Sequence, residues 1–349
     1  MNNRFEISKI IKTNFFQRKI FRITLITFSC LVFLVFTMGF GSYYFLKGEF
    51  SAPGRLSESK IVIIPHGYSV KSIGSFLHDQ GVVDNSLVFY WGVRLFGQSK
   101  PLLSGEYEIL PGMANKDVMS LLQSGKVVVR KITVPEGLTV KQIYDLLKKT
   151  KTLKGDLPSL SKFSEGSLLP ETYLYTSRDS KSQILERMQN SMTELLQGLW
   201  NDHLHSKSQI LSPNEVVILA SIVERETSRK DERARIAGVF LNRLKLGMKL
   251  QSDPTVIYGI SGGRGIINRP LTKSDLKTKS PYNTYTNYGL PWGPISNPGR
   301  ASLIAVLNPF QTDELYFVAD GGGGHLFARD LDNHNLNVKR WRRIKRMQD

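Results

Sequence analysis

The chain has 349 residues, with 47 Lys and Arg against 30 Asp and Glu, a net charge of +17 and a single cysteine. This length suffices for two or three domains with hydrophobic cores, and the lone cysteine excludes a disulfide-stabilised scaffold. The positive charge favours an anionic partner, either a membrane surface or a polymer, although much of it can be solvated surface.

The N-terminus predicts a membrane anchor. Residues 1–22 are rich in Lys and Arg, and no charged residue occurs from Ile23 to Leu46. Such a run can cross ~30 Å of hydrocarbon and exceeds the roughly 7–15-residue apolar core of a cleavable signal. We therefore predict a cytoplasmic basic tail at 1–22 and a single-pass span at 23–46 in the cytoplasmic (inner) membrane, with the remainder on its outer (periplasmic) face. The alternative is a buried core helix.

Residues 47–60 have the composition of a linker, and a weak repeat occupies 61–148. Ile64-Pro-His-Gly-Tyr-Ser-Val-Lys-Ser-Ile73 matches Val134-Pro-Glu-Gly-Leu-Thr-Val-Lys-Gln-Ile143. Each copy predicts a strand, a Pro-x-Gly turn and a helix. These small strand–helix units resemble LysM-type modules, which bind the glycan chains of cell wall. The alternative is that they are spacers or scaffold.

Residues 149–349 predict a mixed α+β domain, so that the chain as a whole is α+β. Ser212-Pro-Asn-Glu215 has the signals of a helix start, and that helix is expected to run to about Arg229. A second helix is predicted from Asp231 to Leu246. The segment from Leu315 to Ala328, with four glycines at its centre, predicts a β-hairpin.

Two acids lie near the end of an apolar helix in the run Ile218-Leu-Ala-Ser-Ile-Val-Glu-Arg-Glu-Thr-Ser228. A carboxyl held against apolar surface favours its neutral form, and a neutral carboxyl can donate a proton. Glu224 and Glu226 point about 200° apart on a helix, so they cannot act as a pair. Glu226 has the larger apolar neighbours on its face, so burial is expected to perturb it more. A surface acid is the alternative for each, and the favoured one for Glu224.

Six short segments of the C-terminal part form a set: Leu219-Ala-Ser-Ile-Val-Glu-Arg-Glu-Thr227, Val239-Phe-Leu-Asn-Arg-Leu244, Leu250-Gln-Ser-Asp-Pro-Thr-Val-Ile-Tyr258, Tyr282-Asn-Thr-Tyr285, Gly289-Leu-Pro-Trp-Gly-Pro-Ile295 and Ala319-Asp-Gly-Gly-Gly-Gly-His-Leu-Phe327. In order and spacing they resemble the endolytic murein transglycosylase family, also called YceG-like. The membrane anchor and the LysM-like repeat agree with that resemblance. Trp292 is a departure, because the family usually has a second proline there, and it is expected to change only a loop surface.

The resemblance implies cleavage of the β-1,4 bond between N-acetylmuramic acid and N-acetylglucosamine in peptidoglycan. The muramyl 6-hydroxyl attacks its own anomeric carbon and leaves a 1,6-anhydro ring, so one carboxyl suffices where ordinary glycosidases need two. Glu226 is the implied catalytic residue, because the Arg-Glu-Thr around it resembles the Gln-Glu-Ser around the catalytic glutamate of other lytic transglycosylases. The implied role is termination of nascent glycan strands. The expected partners are peptidoglycan strands, cell-wall synthesis proteins and the membrane, without nucleic acid or cofactor.

Five further residues are candidates for substrate binding. Aromatic faces combined with amide, carboxyl and hydroxyl groups suit saccharides, whose C–H faces stack while their hydroxyls take hydrogen bonds. The candidates are Gln251, Asp253, Tyr282, Asn283 and Tyr285. Asp253 before a proline is also an ordinary helix cap, and Tyr282 is also a candidate for the core.

Two other functions stay open on the sequence. One is a non-catalytic cell-wall-binding membrane anchor, which would leave Glu226 exposed. The other is a two-carboxylate peptidoglycan hydrolase, with Glu226 as acid and Asp253 or Asp320 as base, whose product has a reducing end. His325 is expected at the rim or in a structural role. No metal site is predicted, because the histidines are scattered and the only cysteine lies in the span.

Overall fold

The computed structural model describes residues 3–203 and 211–348, with side chains for 22–202 and 211–346. It is a mixed α/β protein with two compact units, Met1–Val128 (the N-terminal unit) and Val129–Asp349 (the C-terminal unit). The predicted mixture of helices and strands is confirmed. The LysM-like character and the predicted domain boundaries stay predictions. The side chains of the predicted cytoplasmic tail lie outside the described residues, except for that of Arg22.

The first helix, α1 (Asn3–Ser51), contains the uncharged run. Its stretch Arg22–Ser51 reaches a mean hydropathy of 2.3, and no residue of its most apolar window is buried. Within the described residues, this is the one helix long and apolar enough to cross a membrane. The helix continues past the predicted end of the span because Phe50 packs into the core of the N-terminal unit. The predicted linker 47–60 is therefore helical up to Ser51.

The rest of the N-terminal unit is a two-stranded sheet with three helices: β1 (Lys60–Ile64), α2 (Val70–Asp79), α3 (Ser86–Phe96), β2 (Gly105–Ile109) and α4 (Asn115–Ser124). β1 and β2 are antiparallel, with Val62 opposite Tyr107. Val62, Ile64 and Tyr107 are buried, and they form the core together with α2 and α3. The strand, turn and helix predicted for the first repeat copy are confirmed.

The C-terminal unit contains β3 (Arg130–Thr133), α5 (Val140–Lys149), β4 (Thr172–Tyr175), α6 (Lys181–His203), α7 (Pro213–Glu226), α8 (Arg233–Lys245), α9 (Asp253–Ile260), α10 (Arg300–Leu307), β5 (Tyr316–Ala319), β6 (His325–Ala328) and α11 (Leu331–Gln348). Single 3₁₀ turns occur at Leu160–Lys162 and Asp275–Lys277. β3 pairs antiparallel with β4, and Thr139 caps α5 in a capping box with Gln142. The strand–turn–helix order of the second repeat copy is thus confirmed, and the two copies lie in different units.

Helix α7 forms the centre of the C-terminal core. Ser212 caps it in a box with Glu215, and every residue from Val216 to Val223 is buried. The helix packs against α8 and α10. It ends at Glu226, earlier than predicted, because Thr227 is extended and its hydroxyl bonds to Glu232 on the approach to α8. The following helix accordingly begins later than predicted, at Arg233.

The predicted hairpin is confirmed as the antiparallel pair β5–β6, in which Ala319 lies opposite His325. Its turn consists of four glycines, of which Gly321 and Gly323 have φ angles of 86° and 89°. These angles fall where only glycine is free of strain. Helix α11 packs against both strands. The turn is therefore the part of the hairpin that only a glycine-rich sequence can form.

Candidate active site

Glu226 is the last residue of α7, at the edge of the hydrophobic core. Three residues on its face, Leu219, Ile222 and Val223, have no exposed surface. The helix ends at Glu226, so this carboxyl lies just beyond the buried part of that face. It receives a hydrogen bond from the hydroxyl of Ser252 on Oε1. The apolar run that suggested a perturbed acid in the sequence is therefore buried and ends three residues before this acid.

The surroundings of Glu226 keep it protonated to an unusually high pH. Burial raises its pKa from the ordinary value of 4.5 to about 7. The Ser252 hydrogen bond opposes this rise, the charge of Asp253 adds to it, and the charges of His325 and Arg243 oppose it. Near neutral pH the carboxyl is therefore poised between its two protonation states, which is the condition for efficient general acid catalysis.

Ser252 is fixed by a buried network that joins α9 to the loop after Tyr282. Its backbone N–H donates to Thr284 Oγ1 at 3.0 Å, and that hydroxyl is 2.9 Å from Thr255 Oγ1. Ser252, Thr255 and Thr284 are all at most 2% exposed. Ser252 occupies the N-cap of α9 but makes no capping hydrogen bond, because its hydroxyl is used on Glu226. Ser252 is part of the segment Leu250–Tyr258 that the sequence analysis singled out, but that analysis did not place it in the site.

Two of the predicted substrate residues lie together beside the acid. The hydroxyl of Tyr285 donates to Asp253 Oδ1 at 2.6 Å. The pKa of Tyr285 is raised by burial first and then by the Asp253 hydrogen bond, with a smaller contribution from Glu226. Gln251 lies two residues before Asp253 in the chain. It is exposed and has a left-handed φ of 50°. A non-glycine residue in that conformation is strained, and such strain is typical of functional loops.

The other two predicted residues support the loop. Tyr282 packs edge-on against Tyr258, with ring centroids 4.8 Å apart. Asn283 is 1% exposed, and its amide donates to the carbonyls of Leu276 at 3.1 Å and Thr278 at 2.8 Å. Its Oδ1 accepts from the backbone N–H of Tyr285 at 2.8 Å. With its hydrogen-bonding groups used by the loop backbone, Asn283 positions Tyr285 and has no free group for a sugar.

Glu224 is not the surface acid that the sequence favoured. Its side chain is 4% exposed and forms an ion pair with Arg233, with Oε1 2.8 Å from Nη2. Its Oε2 accepts from the backbone N–H of Gly299 at 2.9 Å, and Glu136 shares the same guanidinium at 3.0 Å. Burial raises its pKa, the Gly299 bond opposes this, Glu136 adds to it and Arg233 opposes it. Glu224 therefore ties α7 to α8 on a different face from Glu226.

A second half-buried acid, Glu165, was not identified in the sequence analysis. Burial raises its pKa to about 7, against hydrogen bonds from Val140 and Tyr258 that lower it. Its Oε1 accepts from the backbone N–H of Val140 and from Asn297 Nδ2, both at 3.0 Å, and Tyr258 donates to Oε2 at 3.2 Å. Three donors thus already engage the carboxyl, so Glu165 joins the start of α5 to α9 and supports Tyr258, on which Tyr282 packs.

His325 lies at the start of β6 and is paired with an acid. Its Nδ1 is 2.7 Å from Glu232 Oε2, and its backbone N–H donates to Oε1 of the same carboxylate at 2.9 Å. The two side chains are 14% and 12% exposed. In residues 3–203 and 211–348, no group of three or more His, Cys, Asp or Glu is placed to hold a metal ion.

Comparison with known proteins identifies the family to which this chain belongs. The model of the YceG-like family matches residues 62–340. An endolytic murein transglycosylase of Bacillus subtilis is 32% identical over 84% of this chain and 88% of its own length. One of Streptococcus pneumoniae is 29% identical over 89% of this chain and 64% of its own length. A crystal structure of a yceG-like protein from Listeria monocytogenes covers 80% of this chain and 99% of that chain, with 32% identity and a TM-score of 0.50. The chain therefore belongs to the YceG-like family, as its six sequence segments predicted.

Proposed function

We propose that the protein is an endolytic peptidoglycan lytic transglycosylase with Glu226 as its proton donor. The observation that carries the proposal is a carboxyl at the end of a buried helix with a pKa raised to about 7. The relatives named endolytic murein transglycosylase support the reaction class. A non-catalytic wall anchor does not require a half-buried acid whose carboxyl accepts a hydrogen bond from a serine that makes no capping bond.

The proposed reaction needs one carboxyl. Protonated Glu226 donates to the oxygen that joins muramic acid C1 to the next sugar, and the C1–O bond breaks. The muramyl 6-hydroxyl bonds to C1 as its proton leaves, which closes the 1,6-anhydro ring. In the simplest form the Glu226 carboxylate accepts that proton and is ready for the next cycle. The substrate supplies the nucleophile, so the second carboxyl of ordinary glycosidases is not required.

We further propose that Gln251, Asp253, Tyr282 and Tyr285 form one wall of the saccharide cleft. Asp253 and Tyr285 act as a hydrogen-bonded pair next to the acid, and their oxygens suit sugar hydroxyls. For Asn283 the geometry favours support of this wall over contact with sugar.

At the membrane we propose that α1 is a single-pass anchor with its N-terminus in the cytoplasm and residues 47–349 on the outer face. The basic flank at 1–22 supports this orientation. We propose that β1, α2, α3 and β2 of the N-terminal unit form a LysM-like module that contacts glycan. Tethered in this way, the enzyme would reach newly made strands and terminate them alongside cell-wall synthesis proteins.

A two-carboxylate hydrolase is the main competing function, because Asp253 is close enough to Glu226 to raise its pKa. Asp320 is a poorer base, since its Oδ1 already accepts backbone N–H bonds from Gly322 and Gly324. Mass spectrometry of the fragments from purified, uncrosslinked peptidoglycan strands separates the two functions. We expect 1,6-anhydro ends on fragments of several disaccharides. Reducing ends would establish hydrolysis, and release of single disaccharides only would exclude internal cleavage.

A further inference from the structure

One face of α3 exposes an apolar stripe. Leu87, Trp91 and Leu95 follow one another at every fourth position, so they lie within about 80° of one another around the helix. Their exposed fractions are 59%, 52% and 56%. The opposite face of α3 is buried in the core of the N-terminal unit through Phe89 and Val93. A continuous row of exposed apolar side chains is typical of a contact surface, unlike single apolar residues scattered over a protein.

Helix α3 is packed directly against α1. The ring of Phe96 lies 5.7 Å, between centroids, from the rings of both Tyr43 and Phe50 on α1. A Cβ atom on Gly92 would overlap the Phe50 ring, so a glycine at this position allows the two helices to approach closely. These contacts fix how α3 is turned relative to α1, and they leave its apolar stripe exposed beside that helix.

Trp91 shows how far along α1 the stripe lies. Together with α1 it lines a surface groove of about 540 Å³, and the α1 residues in the groove are Gly41, Ser42, Phe45 and Leu46. These residues belong to the end of the uncharged run Ile23–Leu46. At 1.5 Å per residue this run is about 36 Å long, whereas the hydrocarbon core of a bilayer is ~30 Å thick. With α1 across the bilayer, Trp91 therefore lies near the boundary between acyl chains and headgroups.

The side chains around the stripe suit this boundary. Tyr and Trp are enriched where a membrane protein passes from hydrocarbon to headgroups, and Tyr43, Tyr90 and Trp91 all lie here. Arg94 is the only charged residue of α3, is exposed, and lies 5.7 Å from the centre of the Tyr90 ring. Lys47, also exposed, directly follows the uncharged run. Both cations are suited to the phosphate groups of phospholipids.

We propose that the stripe of Leu87, Trp91 and Leu95 is a second membrane contact, which inserts among the phospholipids of the outer leaflet next to α1. This rests on the proposed anchor and adds to it, because a span alone would let the N-terminal unit tilt about one helix. Contacts through both α1 and α3 would hold this unit in one orientation against the bilayer. Phospholipid is favoured as the occupant because the stripe continues the exposed apolar surface of α1, and because residues of the span itself form the groove.

The test is quenching of Trp91 fluorescence by brominated phospholipids in proteoliposomes of the full-length protein. Trp200→Phe, Trp292→Phe and Trp341→Phe leave Trp91 as the only tryptophan. Bromine quenches tryptophan only at short range, so we compare lipids brominated near the glycerol end and near the methyl end of the acyl chain. We expect Trp91 to be quenched more strongly by the first lipid. The reference is Phe36→Trp with Trp91→Phe added, which should be quenched more strongly by the second, because Phe36 lies near the centre of the uncharged run.

A matched pair of variants tests the stripe itself. Leu87→Gln combined with Leu95→Gln should weaken the quenching of Trp91, because two apolar side chains that hold this face in the lipid are lost. Ile63→Gln, at an exposed apolar residue of β1, is the control and should leave the quenching unchanged. Equal quenching in the double variant and in the control would overturn the role of the stripe.

The reference separates failure of this proposal from failure of the anchor. An unquenched Trp91 together with a quenched Phe36→Trp overturns the second contact and leaves the anchor intact. If neither position is quenched, α1 does not span the bilayer, and the anchor and the second contact are both refuted. Quenching of Trp91 that is lost when the protein-to-lipid ratio is raised would show that a second copy covers the stripe, which overturns phospholipid as its occupant.

Discussion

At the scale of single residues, the site depends on a carboxyl that is held protonated by burial. Glu226 has an ordinary pKa of 4.5 when unfolded and about 7 when folded. The folded state therefore holds a proton that the unfolded state has lost between these two pH values. Below about 4.5 burial of this group carries no penalty, and as pH rises through about 7 the protein loses stability at this position.

Glu226→Gln should therefore stabilise the protein at pH 8 more than at pH 4.5. The amide has the same shape as the carboxyl and never becomes charged. From the size of the pKa shift, the free energy of unfolding can rise by at most roughly 3 kcal/mol. We expect a rise in Tm of a few degrees at pH 8, because about 1 kcal/mol moves Tm by roughly 2–4 °C in a domain of this size. Glu171→Gln, at an exposed acid, is the control. Equal Tm changes at both pH values would contradict the burial of this carboxyl.

The Ser252 hydroxyl is predicted to tune the same acid. Its hydrogen bond stabilises the carboxylate, so it lowers the pKa of Glu226 against the effect of burial. Ser252→Ala should move the alkaline limb of the kcat profile to higher pH, by up to about one unit, and should reduce kcat through looser orientation of the carboxyl. Ser228→Ala, at an exposed serine near the end of α7, should leave the profile in place. A shift to lower pH in Ser252→Ala would show that the bond favours the neutral acid instead.

At the scale of secondary-structure elements, the glycine turn should tolerate alanine less well at Gly324 than at Gly322. Gly324→Ala would place Cβ 2.7 Å from Glu232 Oε1, whereas Gly322→Ala would place it 3.5 Å from Asp320 Oδ1, an ordinary contact. Neither residue has a positive φ, so any difference between the two variants reflects the space around the added Cβ and not backbone strain. We expect Gly324→Ala to push the Glu232 or Asp320 side chain from its place and to lower Tm more than Gly322→Ala does. Equal Tm values for the two variants would mean that the space at Gly324 does not limit this turn.

The sequence was informative about elements whose signals are local. The capping box at Ser212, the apolar run before Glu226 and the four-glycine turn predicted α7, its acid and the hairpin. The end of α7 was placed too late, because a hydrogen bond from Thr227 to Glu232 decides it and no local pattern encodes that bond.

The contacts that sequence analysis missed join distant parts of the chain. Glu232 and His325 are 93 residues apart, and Ser252 and Glu226 are 26 apart. Glu165 is 132 residues from Asn297, one of its donors. Glu224 was misjudged for the same reason, since its burial depends on Gly299 as well as on Arg233. Periodicity gives the face of a helix but not which polar groups fold onto it.

At the scale of the whole molecule, the proposed anchor would determine where the enzyme can act. With α1 as a signal anchor, a reporter fused after Asp349 should be active only outside the cytoplasm. The expectation rests on the basic residues before Ile23 and on the exposed apolar surface of Arg22–Ser51. A fusion to the N-terminus should report the cytoplasm in the same cells. Cytoplasmic activity of the C-terminal fusion alone would reverse the topology and remove access to the proposed substrate.

The central claim is that Glu226 drives formation of anhydro ends. The most direct measurement is the yield of 1,6-anhydro ends from purified glycan strands, determined by mass spectrometry for wild type, Glu226→Gln and Glu224→Gln, with each folded fraction checked by Tm. We predict a loss of at least about 10²-fold for Glu226→Gln at unchanged fold, while Glu224→Gln lowers Tm but keeps anhydro products per folded molecule. Wild-type yields from folded Glu226→Gln, or near-complete loss from folded Glu224→Gln alone, would contradict the assignment.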